Sequence, residues 1–183
     1  SSQEGICNPS RDIKHSIMIE SVDNFLEKKY FKKLQKKVFG PHFPWYKNDG
    51  KVSENDGYIQ FIHRVYRNNE YVSGFSSDLI PCVEKLGVLS LIRIKLNLTL
   101  STTEMDVYEF HKDLVGSRGG TQKTSILYMN TNNGFTMFEN GDKIESVANR
   151  MITFPSETRH TGTSNTDEDI MYRCVINFNY FPN

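Results

Sequence analysis

His111 and Asp113 stand one residue apart in the stretch FHKDLVGSRGG, residues 110 to 120. In an extended strand, residues i and i+2 point to the same side, so both side chains can face one interior. An imidazole nitrogen together with a carboxylate oxygen suits a divalent first-row metal. Two polar strand residues that only hydrogen-bond would show the same spacing, so the pair alone does not indicate a metal site. A metal site here requires a third ligand.

The remaining histidines supply the candidates for that third ligand. His15 and His42 precede the β-rich part of the chain, and His63 stands in an early predicted strand. His160 ends the segment NRMITFPSETRH, in which an apolar strand meets a proline and a short polar turn follows. In a double-stranded β-helix, a residue so placed can return to the cavity that Asp113 faces. Two histidines and one carboxylate on one side of a metal leave positions open for substrate and oxygen.

An arginine on the last predicted strand could meet an anion in the same cavity. Alternation in YRCVINFNY puts Arg173 on the face shared by Val175 and Asn177. A guanidinium directed into a cavity is costly unless an anion meets it, and its fork matches a carboxylate. The partner is either an internal carboxylate or the carboxylate of a ligand.

Short β-type runs from Gly57 onward indicate the elements that hold these residues. The run LIRIKLNLTL alternates polar and apolar residues, so one face belongs to the core and the other is wet or lines a cavity. Turns such as Asn133-Gly134 separate the runs, and no helices intervene. The pattern predicts an antiparallel barrel or jelly roll. The runs are GYIQFIHRVY, LIRIKLNLTL, DVYEFHKD, KTSILYMN, GFTMFE, NRMITF and YRCVINFNYF.

The N-terminal part of the chain adds helices. SVDNFLEKKYFKKLQKKVFG predicts an amphipathic helix with Ser21 or Asp23 as N-cap, Gly40 as its stop and its lysine pairs on a solvated face. A second helix is predicted over about 76 to 85. The fold class is α+β, mainly β: a cupin-like double-stranded β-helix, or jelly roll, with N-terminal helices packed outside the barrel. We predict one domain over 1–183, with a helical part at about 15–90 and a jelly-roll core at about 91–181.

Composition restricts the partners of this domain. With 22 basic and 22 acidic residues the formal net charge is zero, so no nucleic-acid partner is expected. No apolar run approaches the ~18 residues of a spanning helix, so no membrane is expected either. Three cysteines without short pair spacing argue against a disulfide framework and predict a cytoplasmic location, or the host cytoplasm for a viral protein. The sequence does not predict an oligomeric state.

These motifs together resemble the Fe(II)- and 2-oxoglutarate-dependent dioxygenases, and among them the small prolyl-hydroxylase-like members of the phage and marine microbial type. The resemblance rests on HKD at 111–113, on ITFPSETRH ending at His160 and on RCVINFNY beginning at Arg173. It implies that His111, Asp113 and His160 hold Fe(II). It also implies that Arg173 binds the distal carboxylate of 2-oxoglutarate, the cosubstrate.

Two more residues enter through the resemblance. Tyr128 in SILYMN occupies a position at which related enzymes place a hydroxyl that hydrogen-bonds the cosubstrate. Lys123 is the second candidate for the carboxylate anchor, because some branches bind 2-oxoglutarate from that strand. The sequence departs from the prolyl-hydroxylase-like pattern in having arginine where lysine is common. It also has a longer gap between His160 and Arg173.

The implied activity is hydroxylation of a C–H bond of a peptidyl residue such as proline, or of a small metabolite. O2 is consumed, succinate and CO2 are released, and ascorbate is a candidate accessory reductant. One alternative is a non-catalytic cupin-like metal or ligand-binding module, which needs no buried carboxylate anchor at Arg173. Another is a structural jelly-roll protein of a virus particle. The glycine-rich stretch 114–122 lacks the pattern of a phosphate-binding loop and is expected to form a flap beside the metal.

Overall fold

The computed structural model describes residues 18–49, 57–114 and 121–183. Its helices are α1 (Lys28–Val38) and α2 (Ile80–Lys85), and a 3-10 turn at Gly74–Leu79 leads into α2. The strands are β1 (Glu20–Val22), β2 (Tyr46–Asp49), β3 (Ile59–Arg67), β4 (Glu70–Tyr71), β5 (Val88–Leu100), β6 (Lys123–Tyr128), β7 (Phe135–Phe138), β8 (Lys143–Glu145), β9 (Met151–Pro155), β10 (His160–Gly162) and β11 (Tyr172–Pro182). Most of the stretch predicted as a flap, 115–120, lies outside the described residues.

The strands form two antiparallel sheets. The larger sheet has the order β1-β9-β6-β11-β5-β3-β2, with β4 beside β3, and the smaller has the order β10-β7-β8. Residues from both sheets line one cavity, among them Val175 of β11 and Thr136 of β7. The predicted class, mainly β with a jelly roll and helices from the N-terminal part, is confirmed.

The central pair of the larger sheet, β5 and β11, separates core from cavity. Ile94 and Leu96 of β5 are buried in the main hydrophobic cluster. The alternate residues Lys95 and Asn97 line the cavity. This is the division that alternation in LIRIKLNLTL predicted, and it follows because successive strand residues point to opposite faces.

Helix α1 is amphipathic as predicted, but it begins later. Its buried residues are Phe31, Leu34 and Val38, and its lysines are all exposed. The N-cap is Glu27, whose carboxylate accepts from the backbone N–H groups of residues 29 and 30 at 2.9 Å. The prediction of Ser21 or Asp23 as cap is therefore wrong. Residues 20–22 form strand β1 and pair with β9, although the local sequence pattern favours a helix there. Asn24, whose backbone is left-handed, then separates the strand from the helix.

The predicted strand DVYEFHKD is also wrong. Two isolated bridges replace it, Val107 with Thr163 and His111 with His160. Between the bridges, the hydroxyl of Thr161 donates to the carbonyl oxygen of Tyr108 at 2.9 Å. A side-chain hydrogen bond thus replaces one of the backbone hydrogen bonds of a regular strand pair. Regular alternation is lost here, and Lys112, which alternation would turn away, also lines the cavity.

Gly134 lies where the chain before β7 approaches the backbone of Ser164. A Cβ at position 134 would lie 2.6 Å from the Ser164 carbonyl oxygen and 2.8 Å from Cδ of Arg173. We expect Gly134→Ala to lower the free energy of unfolding by about 1–3 kcal/mol, because backbone cannot move aside cheaply. Gly74→Ala is the matched control, since a Cβ there meets nothing within 4 Å. Urea unfolding measures both, and equal stabilities would show that the contact relaxes freely.

Neither helix in the described ranges has the length and apolar character of a transmembrane span. Cys82 and Cys174 are buried free thiols. Burial raises the pKa of Cys82 to about 12, so its reactive thiolate form is suppressed. The cytoplasmic location remains a prediction.

Candidate metal centre and anion cavity

A pair of backbone hydrogen bonds brings the two predicted histidine ligands together. The backbone N–H of His111 donates to the carbonyl oxygen of His160 at 2.9 Å. The backbone N–H of His160 donates to the carbonyl oxygen of His111 at 3.0 Å. Residues directly opposite in an antiparallel pair project to the same face. The ring centroids are accordingly 4.7 Å apart.

The hydrogen bonds of both rings fix their tautomers. Nδ1 of His160 lies 2.9 Å from the Thr158 carbonyl oxygen, and Nδ1 of His111 lies 3.3 Å from the Glu109 carbonyl oxygen. A carbonyl oxygen only accepts, so each Nδ1 must carry the proton and each Nε2 keeps a lone pair for a metal. Burial lowers the pKa of His111, and the neighbouring His160 lowers it further, which favours the neutral ligand form.

Asp113 completes the triad, and its carboxylate is held on both oxygens. Oδ1 accepts from Nη2 of Arg93 at 3.0 Å and lies 3.9 Å from Nε2 of His111. Oδ2 accepts from Asn179 at 3.0 Å and from Thr124 at 3.2 Å. Burial favours the protonated acid, but the neighbouring His160 ring, the Arg93 guanidinium and the Asn179 hydrogen bond outweigh it and lower the pKa of Asp113 to about 2.

One ligand atom from each of His111, Asp113 and His160 lies within 4.8 Å of the others. Two imidazole nitrogens and one carboxylate oxygen match the donor set of the facial triad that holds Fe(II). His63 is not part of this cluster, because it hydrogen-bonds Pro44 and Ser73 and lines a different cavity together with His42. His15 lies outside the described residues. The structure thus brings together the three residues that the sequence singled out.

A cavity of about 320 Å³ opens beside this cluster. It is lined by the three triad residues and by Arg173. Its size is at the lower end of the range for small-molecule sites. The sequence-predicted anchor and the sequence-predicted ligands therefore share one space.

Arg173 is a buried cation with neutral neighbours. Only 6% of it is exposed; its Nε donates to Ser146 at 2.8 Å and its Nη2 to Thr136 at 3.1 Å. Nη1 lies beside Gly162, where an added Cβ would come within 3.2 Å of it. Burial lowers the pKa of Arg173, but a guanidinium stays charged in proteins. No carboxylate of the described residues pairs with it, so of the two partners that the sequence left open, the structure favours a ligand.

No protein-family model matches the sequence, and no curated protein matches it. Solved structures do match. A prolyl-4-hydroxylase of Pseudomonas putida is 13% identical over 92% of this chain and 94% of its own, with a TM-score of 0.55. A second match is a prolyl hydroxylase of Trichoplax adhaerens in complex with a peptide of the hypoxia inducible factor oxygen degradation domain. It is 16% identical over 89% of this chain and 83% of its own, with a TM-score of 0.62.

A third match is the epimerase SnoN from nogalamycin biosynthesis, in complex with Fe3+, alpha ketoglutarate and nogalamycin RO. It is 12% identical over 91% of this chain and 79% of its own, with a TM-score of 0.64. This chain has the 2-oxoglutarate oxygenase fold. The resemblance carried by the sequence motifs is confirmed at the level of fold, and the chemistry has to be argued from the site.

In this 2-oxoglutarate oxygenase fold, Tyr128 lies behind the cavity. It is fully buried, and its hydroxyl donates to Thr136 at 2.8 Å. The guanidinium carbon of Arg173 lies 5.5 Å from the centre of its ring. A hydrogen bond from Tyr128 to a cosubstrate stays a prediction. Lys123, the second candidate anchor, begins β6 opposite Tyr180 and is not among the described residues that line the cavity.

Sequence reasoning gave no role to four residues around the triad, namely Arg93, Lys95, Tyr108 and Asn179. Three of them line the cavity, and Asn179 hydrogen-bonds Asp113 from behind it. Burial raises the pKa of Tyr108 above its ordinary value, so it remains a neutral phenol. For Arg93 and Lys95 the available signal was the polar face of LIRIKLNLTL, which alternation predicts to be either wet or part of a cavity lining.

Arg93 is placed to orient the carboxylate of Asp113. It binds Oδ1 of that carboxylate and, through Nε, the side-chain oxygen of Asn179 at 2.9 Å. We expect Arg93→Met to weaken Fe(II) binding by about 10- to 100-fold, because the carboxylate then loses its fixed orientation. Competition with a chromogenic Fe(II) chelator measures this. Arg64→Met, an exposed arginine on the adjacent strand, is the matched control, and equal affinity in both variants would contradict the positioning role.

Proposed function

We propose that this protein is an Fe(II)- and 2-oxoglutarate-dependent oxygenase. It hydroxylates a C–H bond of a small metabolite or of a peptidyl residue, consumes O2, and releases succinate and CO2. The observation that carries the proposal is the presence of a two-histidine, one-carboxylate cluster and a buried arginine without a carboxylate partner among the described residues, in one cavity. A metal and an organic dianion account for both features.

The residues fit Fe(II). Nε2 of His111, Nε2 of His160 and an oxygen of Asp113 would be its ligands, and three protein ligands leave room for a chelating cosubstrate and O2. Bound together, Fe(II) and 2-oxoglutarate supply the O2 activation that C–H hydroxylation requires. The contribution of the protein is to hold the ligands in place and to exclude water.

Arg173 would bind the distal carboxylate of 2-oxoglutarate. Ser146 and Thr136 fix the guanidinium on one side, and Gly162 leaves space at Nη1 for the ligand. A charge-assisted, forked pair is strongest in a dry interior, where water does not compete. Buried placement of the arginine therefore favours tight and oriented binding of the cosubstrate.

The cupin-like binding module remains the alternative. It would retain the metal cluster, but it gives no reason to bury an arginine without a carboxylate partner. A structural jelly-roll protein would need neither the metal cluster nor the arginine. Both alternatives leave 2-oxoglutarate unchanged, so product analysis separates them from the oxygenase.

Succinate formation tests the proposed function. Incubation of the protein with Fe(II), 2-oxoglutarate, ascorbate and air should yield succinate slowly even without a primary substrate, and His160→Ala should yield none. Glu109→Gln, which alters an exposed acid near His111, should retain the wild-type rate. Iron binding without any succinate would support the cupin-like module instead.

A further inference from the structure

Lys95 is a second basic side chain of the cavity without an ion-pair partner among the described residues. It lies on β5 opposite Asn177 of β11 and is partly buried. Within the described ranges, no hydrogen bond or ion pair holds its ammonium group. Burial and the nearby Arg93 lower the pKa of Lys95 to about 8, and the attraction of Asp113 offsets only part of this.

Two buried acceptors lie beside it. The side-chain oxygens of Asn97 and Asn177 have no hydrogen-bond partner among the described residues, although the two residues are only 8% and 9% exposed. Both side chains line the same cavity as Lys95. Buried polar groups are nearly always satisfied, so two unsatisfied acceptors beside an unpaired ammonium group indicate a ligand that brings both a donor and a negative charge.

The charge of the cavity leads to the same conclusion. Four basic side chains line it, Arg93, Lys95, Lys112 and Arg173, and Asp113 is the sole carboxylate among the described lining residues. Arg93 is paired with that carboxylate. The metal needs Asp113 as well, and Arg173 is assigned to 2-oxoglutarate. Lys95 therefore keeps an uncompensated charge when metal and cosubstrate are in place.

Lys95 and Arg173 enter the cavity from backbone positions that are well separated along the sheet. Arg173 lies opposite Thr99, four residues along β5 from Lys95, which corresponds to about 13 Å of strand. This backbone separation exceeds the length of the five-carbon chain of 2-oxoglutarate. It favours a second anion at Lys95 over a cosubstrate shared by both side chains.

We propose that Lys95, Asn97 and Asn177 form a substrate subsite that binds the carboxylate of a small molecule with an N–H or O–H donor, such as a free or acylated amino acid. The ammonium group pairs with the carboxylate, and the amide oxygens accept from the donor. The inference rests on the proposed function, because it names the substrate class of the same site. It favours a small metabolite over a residue inside a peptide chain, which carries no backbone charge.

A matched pair of probes tests the subsite: N-acetylglycine and its neutral amide, N-acetylglycinamide. Each is titrated by calorimetry into protein loaded anaerobically with Fe(II) and 2-oxoglutarate. We expect the acid to bind at least about 10-fold more tightly than the amide, as one charge-assisted contact provides. Lys95→Met should remove that preference, whereas Lys32→Met, on the exposed face of α1, should keep it. Equal affinities for acid and amide, or no binding of either, would overturn the proposal.

Two further measurements distinguish failure of the subsite proposal from failure of the proposed function. The dissociation constant of 2-oxoglutarate should be the same in Lys95→Met and wild type, and a 10-fold rise with unchanged binding of the acid would show that Lys95 serves the cosubstrate. If wild type binds neither Fe(II) nor 2-oxoglutarate, the proposed function fails. The affinities of the acid and the amide are then measured on metal-free Arg173→Met protein. If this protein binds the acid more tightly, and addition of Lys95→Met abolishes that preference, the result still supports the subsite.

Discussion

Replacing Asp113 with asparagine should abolish tight Fe(II) binding. The carboxylate is the anionic member of the triad, and its lowered pKa of about 2 keeps it ionised at neutral pH. Asparagine keeps the shape but supplies a neutral and weaker ligand. We expect Fe(II) affinity to fall by about 100-fold or more, which exceeds the effect usual for residues that only orient a ligand. Anaerobic competition with a chromogenic chelator measures it.

The control for this experiment is Glu109→Gln. It makes the same chemical change four residues upstream of Asp113, on an exposed side chain, and leaves intact the Glu109 carbonyl group that holds His111. It should bind Fe(II) as wild type does. Wild-type affinity in Asp113→Asn, with the fold intact by circular dichroism, would mean that iron is bound elsewhere or not as proposed.

Replacing Arg173 with methionine should weaken 2-oxoglutarate binding by about 100-fold, the loss expected for a forked, charge-assisted pair in a buried site. Fe(II) affinity should not change, because Arg173 is not among the three clustered ligands. The free energy of unfolding should stay the same or rise. A buried guanidinium without a carboxylate partner among the described residues costs desolvation energy that methionine avoids.

The stability measurement distinguishes a binding residue from a structural one. Arg173→Lys keeps the charge but loses the fork, and its affinity for 2-oxoglutarate should lie between those of wild type and Arg173→Met. A large loss of stability in Arg173→Met together with unchanged 2-oxoglutarate binding would assign the arginine to the fold and remove the main support for the proposed function.

The sequence predicted the parts of the site that depend on alternation and on residue type. Lys95 and Asn97 line the cavity because strand residues alternate, and β5 is long enough for the pattern to be unambiguous. His111, Asp113 and His160 could be chosen because few side chains bind a first-row metal. Their assignment as iron ligands remains a proposal, but their proximity was correctly predicted.

The sequence failed where long-range contacts override the local pattern. The segment before His111 has strand-type residues, yet it pairs only through isolated bridges to Thr163 and His160, and between them the Thr161 hydroxyl takes one of its backbone acceptors. The start of α1 was placed too early because β1 pairs with β9, a contact between segments far apart in the chain. The orienting role of Arg93 could not be read either, since the segment holding Asp113 meets β5 only in the folded protein.

Anaerobic titration followed by O2 is the sharpest test of the proposed oxygenase activity. We predict that one equivalent of Fe(II) binds, that 2-oxoglutarate then binds far more tightly than it does without metal, and that admission of O2 converts each bound 2-oxoglutarate to one succinate. If 2-oxoglutarate affinity does not depend on Fe(II), and 2-oxoglutarate is recovered intact after exposure to O2, the protein is not a 2-oxoglutarate oxygenase.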